Sequence, residues 1–240
     1  MISIVGNIKI NDLQRLKYLK ATLWSFELLK EYQLLLNIDC DCITLDEITI
    51  EVEKIGFKNY QLRNESGNYG EIYCKLLYLV KSDYVINFFE DHYLLLDDKK
   101  QLESILMDMK INKVDVCKSS FWQIEQNSKT TIYKIQKENC IFINDLSNFN
   151  QYQKYYGSRY YLGTNFITTL WFANKFWNRK INTKRPHEFE VARFNKEFMH
   201  VAMIPDVEIF CSVEDNHGES STCLLERPNE KKFWEIYNNI

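Results

Sequence analysis

Glycine and proline are scarce in this chain, at 7 and 3 of 240 residues, and no C-x-x-C pair occurs. No low-complexity linker, internal repeat or break in composition demands a second independent domain. The seven cysteines (Cys40, Cys42, Cys74, Cys117, Cys140, Cys211 and Cys223) are odd in number, which argues for reduced thiols that serve mostly as small core residues. Basic charge is not in excess. A formal net charge of −3 gives no general attraction for nucleic acid. No apolar run approaches the roughly 20 residues that cross a bilayer, and the N-terminus lacks the basic-then-apolar pattern of a secretory signal. A cytoplasmic protein without a transmembrane segment is expected.

What is present is ordinary globular composition, 45% hydrophobic and 26% charged, with 15 Tyr, 15 Phe and 5 Trp to fill a core or to stack on bases and sugars. The length suits one large domain or two small ones, and one domain over 1–240 is the simpler reading. Ile2 to Val5 reads as a strand closed by a Gly6-Asn7 turn. Asn11 or Asp12 then caps a helix carrying Leu16, Leu19, Leu23 and Phe26. Leu34 to Ile38 reads as a second strand, and Asp46 starts a weaker helix that runs to a C-cap at Gly56. Asn59 to Leu62 is a third strand. From Gly70, Ile72, Leu76, Leu77 and Val80 form a helical stripe. Leu102, Ile105, Leu106 and Met109 mark a further helix, and Val114 to Cys117 a strand. This alternation over about the first 115 residues predicts an α/β fold, a mostly parallel central sheet flanked by helices and joined by right-handed crossovers.

Beyond Ser119 the pattern loosens into an elaborated C-terminal half. Segments Thr130–Ile135 and Cys140–Ile143 suggest an inserted hairpin or lid, Phe166–Trp177 and His187–Phe198 suggest helices, and Val201–Ile204 and Val207–Phe210 suggest final strands.

Residues 83–98 carry the chemistry. Tyr84 to Phe89 is a short run of apolar and β-branched residues that reads as a strand buried on both faces, and it leads directly into Glu90-Asp91-His92. Open α/β sheets bind ligands in the crevice beyond the carboxyl ends of their strands. Two carboxylates and an imidazole there can hold a divalent cation, Mg²⁺ or Mn²⁺, although an acidic strand end followed by a solvated turn has the same sequence.

Three ordered features resemble the nucleotide-sugar-dependent glycosyltransferases of the GT-A fold, particularly family 2. The first is the opening strand followed by the helix Arg15-Leu16-Lys17-Tyr18-Leu19 through Leu23-Trp24-Ser25. The second is Asn68-Tyr69-Gly70, a helix to Lys81, then Ser82-Asp83-Tyr84-Val85 and Glu90-Asp91-His92. The third is Gly163-Thr164-Asn165-Phe166, an aromatic helix, and the acidic segment Pro186-His187-Glu188-Phe189-Glu190. Two departures stand out: the family's metal motif most often ends in Asp where this chain has His92, and its usual Glu-Asp pair for the catalytic base is absent as such.

The resemblance implies transfer of a sugar from a nucleotide-diphosphate donor to a glycan or lipid-linked glycan, metal-assisted and inverting, as in the building of a polysaccharide. It divides the chain into a nucleotide-binding half, 1–118, and an acceptor-binding half, 119–240, and it leaves peripheral work at the inner membrane face open. It implies Asp91 and His92 as metal ligands with Glu90 behind them, and His217 closing from a polar loop, where a surface histidine is the plainer reading. Glu188, or Glu190 in reserve, would be the general base, unless both acids merely favour the start of a helix after Pro186. Asp39, Asp41, Arg63 and Asn68 fall where the nucleotide would lie, and Asp41 and Asn68 suit local turn bonds equally well. Trp171 and Trp177, at helical spacing, fit a core better than a sugar platform, whereas Tyr155, Tyr156, Tyr160 and Tyr161 could offer one. A sugar-nucleotidyltransferase shares the sheet order, but its Gly-rich basic loop after the first strand is missing here, where Gly6-Asn7-Ile8-Lys9 stands. A non-catalytic binding module of the same fold is the third reading.

Overall fold

Capped helices alternate with parallel strands through the first half of the computed structural model, which describes residues 1–118, 134–137, 140–143, 166–180, 202–205, 207, 209–212 and 230–239. Strand β1 (Ile2–Lys9) leads to α1 (Leu13–Ser25), then β2 (Gln33–Asp39), α2 (Cys42–Ile55), β3 (Tyr60–Arg63), α3 (Tyr69–Leu77) and β4 (Tyr84–Asn87). Each of these helices begins on a short polar side chain that accepts from an otherwise unsatisfied N–H of the first turn: Asp12 from Arg15, Asp41 from Thr44 and Asn68 from Glu71. Gly56 closes α2 at φ 91°, the left-handed position that glycine takes without steric cost.

The strands of this half lie in the order β3-β2-β1-β4, all parallel, with β1 pairing Ser3–Lys9 against Gln33–Asp39 and Ile2–Val5 against Tyr84–Asn87. The chain turns from one side of β1 to the other here, so the gap beyond the carboxyl ends of β1 and β4 is the switch point of the sheet. Beyond β4, the sheet continues through β9 (Phe166–Thr169), β6 (Val116–Lys118), β10 (Ala202–Pro205), β8 (Cys140–Ile143) and β7 (Lys134–Lys137). In this nine-stranded sheet only β9 and β8 run against the common direction, so the mostly parallel GT-A-like α/β architecture is realised. A second, two-stranded sheet pairs β5 (His92–Leu94) with β11 (Phe210–Ser212).

Three helices complete the described fold: α4 (Lys99–Ile111), capped by Asp98, α5 (Leu170–Lys180) and α6 (Glu230–Asn239). The main core lies on one face of the first strands, where Ile4, Leu34, Leu36 and Ile86 of the sheet pack with Leu19, Ile48 and Leu102 of the helices, all excluded from solvent. A satellite cluster seats α6 on α1 through Tyr18, Tyr93 and Phe233.

Several elements depart from the sequence reading. Strand β1 does not stop at Gly6-Asn7: it continues to Lys9, and Gly6 is present because a Cβ there would lie 2.9 Å from the Phe88 carbonyl oxygen. Helix α2 starts at Cys42 rather than Asp46, because Asp41 supplies the cap. Phe166–Thr169 is strand, not helix, since Ile167, Thr168 and Thr169 are β-branched and pair between β4 and β6. The hairpin is no lid: β8 joins the sheet beside β10 and β7 forms its edge. Trp177 is fully buried as expected, but Trp171 is half exposed, because a spacing of six residues places the two on different faces of α5. Helix α6 had no counterpart in the sequence reading. The helix expected near His187–Phe198, and Tyr155, Tyr156, Tyr160 and Tyr161, lie outside the described residues. Among the described residues no helix is long and apolar enough to cross a membrane.

Candidate functional site

A cleft of about 490 Å³ opens at the switch point. The end of β1 (Asn7, Ile8, Lys9), Asp39 from β2, Arg15 from α1, Glu65, Gly67, Tyr69 and Ile72 from the β3–α3 segment, and Phe89 to His92 form its walls. Its size lies within the range of small-molecule and cofactor sites.

The segment after β4 is held from two directions. The Phe88 amide donates to the Val5 carbonyl at 2.8 Å, which continues the β4–β1 ladder past the end of β4. The Thr22 hydroxyl of α1 donates to the Glu90 carbonyl at 2.7 Å. Glu90 itself is buried and makes an ion pair and hydrogen bond with the half-exposed Arg15 guanidinium. Asp91 turns to the cleft with its side chain 30% exposed, and His92 is buried with Nε2 at 3.5 Å from Asp91 Oδ1. The three residues therefore reach the crevice together, as the strand-end argument requires. They do not form a three-ligand nest, because Arg15 engages Glu90 and His92 opens strand β5 with its ring edge-on to Phe89. Among the described residues no three His, Cys, Asp or Glu side chains converge in a way that could hold a metal ion.

An asparagine pair that the sequence reading did not use fixes the opposite wall. Asn7 and Asn37 face each other across β1 and β2, and Asn37 Nδ2 donates to Asn7 Oδ1 at 2.9 Å. Asn37 also donates to the Glu65 carbonyl and accepts from the Glu65 amide, both at 2.9 Å, while Asn7 donates to the Tyr69 carbonyl at 3.1 Å. Buried amides with this many bonds can clamp a loop in one position. Arg15, Asn7, Asn37 and Tyr69 were all visible as residue types, but only tertiary pairing reveals their place.

The expected nucleotide residues separate into two groups. Asp39 lines the cleft, 4.0 Å from Lys9 and accepting from the Ser66 hydroxyl. Asp41, Arg63 and Asn68 do not: Asp41 caps α2, Asn68 caps α3, and Arg63 pairs with Glu65 at 3.1 Å. Lys75 reaches Glu65 at 2.7 Å and, with Arg63, holds its carboxyl below the usual range. Cys40, between Asp39 and Asp41, is pushed up to about 11 by burial and by those carboxylates, so it stays a thiol and is no nucleophile. Glu188, Glu190 and His217 lie outside the described residues. Four carboxylates (Asp39, Glu65, Glu90 and Asp91) line the cleft, and three of them meet cations: Asp39 meets Lys9, Glu65 meets Arg63 and Lys75, and Glu90 meets Arg15, so the walls are close to charge balance and carry no excess of positive charge.

No protein-family model and no curated protein matches the chain. Solved structures do match in fold. The structure of S. aureus TarS 1–349 in complex with UDP-GlcNAc superposes with a TM-score of 0.58 at 14% identity, covering 98% of this chain and 64% of that one. The same protein in complex with UDP gives 0.54 at 13% identity, covering 87% and 59%. CMP:2-keto-3-deoxy-manno-octonic acid synthetase complexed with CTP gives 0.49 at 12% identity, covering 100% and 99%. The chain thus spans less than two thirds of the length of the TarS chains it matches.

Proposed function

We propose that this protein is a nucleotide-sugar-dependent glycosyltransferase whose donor lies in the switch-point cleft. The observation that carries this reading is the arrival of Glu90, Asp91 and His92 at one wall of a 490 Å³ crevice beyond β1 and β4. The uridine nucleotides held by the TarS structures make UDP the first ligand to test.

The charge balance of the walls bears on how a diphosphate would be held. The cations at the cleft are already engaged by its carboxylates and leave no excess of positive charge, so a diphosphate would need a cation of its own. Asp91 with His92 would hold Mg²⁺ or Mn²⁺, the remaining ligands coming from the diphosphate, as suits ions that keep few protein ligands. Such an ion would neutralise charge on the departing diphosphate. Arg15 holds Glu90 in place and lines the same space, where its guanidinium would also meet the diphosphate. Asp39 would accept from the base or ribose at the other end. Glu188 or Glu190 would take the proton from the acceptor hydroxyl in a single inverting displacement, with His217 closing from the C-terminal loop. The acceptor is a glycan or lipid-linked glycan, and the product part of a polysaccharide made on the cytoplasmic side, in solution or at the membrane face.

Calorimetric titration with UDP, GDP, CDP and dTDP, each with and without Mn²⁺, tests the reading. Metal-dependent binding of one of them is expected, and binding by none defeats it. Asp91→Asn should abolish the metal-dependent part while leaving Tm within a few degrees of the wild type, because the carboxylate serves the cleft and not the core.

A further inference from the structure

Among the described residues, one buried side-chain oxygen or nitrogen has no hydrogen-bond partner: the Tyr69 hydroxyl. Tyr69 also lines the cleft, and its hydroxyl lies near enough to Glu90 to feel that charge. Its surroundings explain why it cannot simply turn away. The ring packs against Tyr73 with centroids 6.2 Å apart and against Trp177 at 5.4 Å. The backbone on either side is pinned as well, since Asn7 holds the Tyr69 carbonyl and Asn68 caps the helix. Tyr73 provides an internal control. It belongs to the same aromatic stack, yet its hydroxyl donates to the Val5 carbonyl at 3.1 Å and contacts Asn87. Of two neighbouring tyrosines, only the one on the cleft wall lacks a partner.

A buried hydroxyl without a partner is a net loss for the folded chain, and the loss is recovered when a ligand completes the bond. We propose that the Tyr69 hydroxyl is a ligand-binding group, donating a hydrogen bond to an oxygen of the nucleotide-sugar donor, on its diphosphate or on the sugar. This rests on the nucleotide-sugar reading above and adds to it a residue that no strand-end argument identifies. The hydroxyl is suited to donation because burial, and then the Glu90 charge, push its pKa up and keep it protonated at neutral pH. Its role is binding. It is not placed to remove a proton from anything.

Tyr69→Phe removes the oxygen and keeps the ring, so two measurements decide. The free variant should melt at or slightly above the wild-type Tm, since no protein bond is lost. Calorimetry with UDP, GDP, CDP and dTDP in Mn²⁺, and with a hexose conjugate of whichever binds, should show affinity reduced about tenfold. Loss with both ligands puts the acceptor oxygen on the diphosphate, and loss with the conjugate alone puts it on the sugar; either supports the proposal. Unchanged affinity for both overturns it while leaving the nucleotide reading intact. A lower Tm for the free variant also overturns it, because the hydroxyl would then already have a partner in the protein. A wild type that binds no nucleotide removes both.

Discussion

Strands β1 to β4 and strands β6 to β10 share one sheet but enter it differently. In the first group β1, β2 and β3 are each followed by a helix, the next strand returns parallel, and β1, β2 and β3 lie side by side in chain order. In the second, β9 begins at residue 166 yet sits between β4 and β6, which end at Asn87 and Lys118. Local contacts organise the first region and long-range pairing the second. The aromatic wall of α3 and α5 joins them: Trp177 of the later region stacks on Tyr73 of the earlier one with ring centroids 4.0 Å apart.

The largest effect is expected where that join is broken. Trp177 is fully excluded from solvent, and Trp177→Ala should cost about 3–5 kcal/mol through lost burial and the cavity left behind. Trp171→Ala, on the half-exposed face of the same helix, should change stability by no more than about 0.5 kcal/mol. Urea denaturation of the two variants measures the contrast. Equal losses would mean that α5 is held by something other than its Trp177 face.

A smaller effect is expected at the tightest contact inside the first region. A Cβ on Gly6 would meet the Phe88 carbonyl oxygen at 2.9 Å, the Leu36 side chain at 3.0 Å and the Phe88 ring at 3.1 Å. The first of these is backbone and cannot rotate away. Overpacking of this kind costs about 1–3 kcal/mol, which outweighs the roughly 0.4–1 kcal/mol that Gly→Ala returns by restricting the unfolded chain. Gly6→Ala should therefore lower the urea midpoint, and it should also weaken nucleotide binding, because Phe88 leads directly into Glu90 and Asp91.

The difference between the regions also explains what could be read without coordinates. Periodicity located β2, α1 and α4 closely, and the start of α3, which ends at Leu77 rather than running to Lys81, because a helix that packs on its neighbouring strands shows its buried face in the sequence. The tip of β4 was legible for the same reason, and with it the position of Glu90, Asp91 and His92. Phe166–Thr169 was misread because a short strand followed at once by a helix shares that helix's run of aromatics, and only β4 and β6 on either side decide it. Gly6 looked like a turn because the residue that forbids its side chain is Phe88, far along the chain. The Arg15–Glu90 pair and the Asn7–Asn37 clamp were illegible on the same ground: each joins elements whose adjacency is a property of the sheet. Helix α6 is a different case, since Phe233, Ile236 and Tyr237 recur at helical spacing and could have been read.

The smallest effect sharpens the boundary between residues that build the nucleotide-binding half and those that would touch its ligand. Asp41 caps α2 through the Thr44 amide at 2.9 Å and the Thr44 hydroxyl at 2.8 Å, and these bonds, the amide first, hold its carboxyl below the ordinary 3.8. A depressed folded pKa means that the cap contributes fully above the unfolded value and fades as pH falls through the folded one. Asp41→Ala should therefore lower Tm by a few degrees at neutral pH and by progressively less in acid, converging with the wild type below the depressed value. Nucleotide affinity, measured in the same calorimeter, should stay within about twofold, because a carboxylate committed to the first turn of α2 has no part in the cleft. A tenfold loss of affinity would move Asp41 from the scaffold to the site, and the donor pocket would then have to extend past Asp39 along the end of β2.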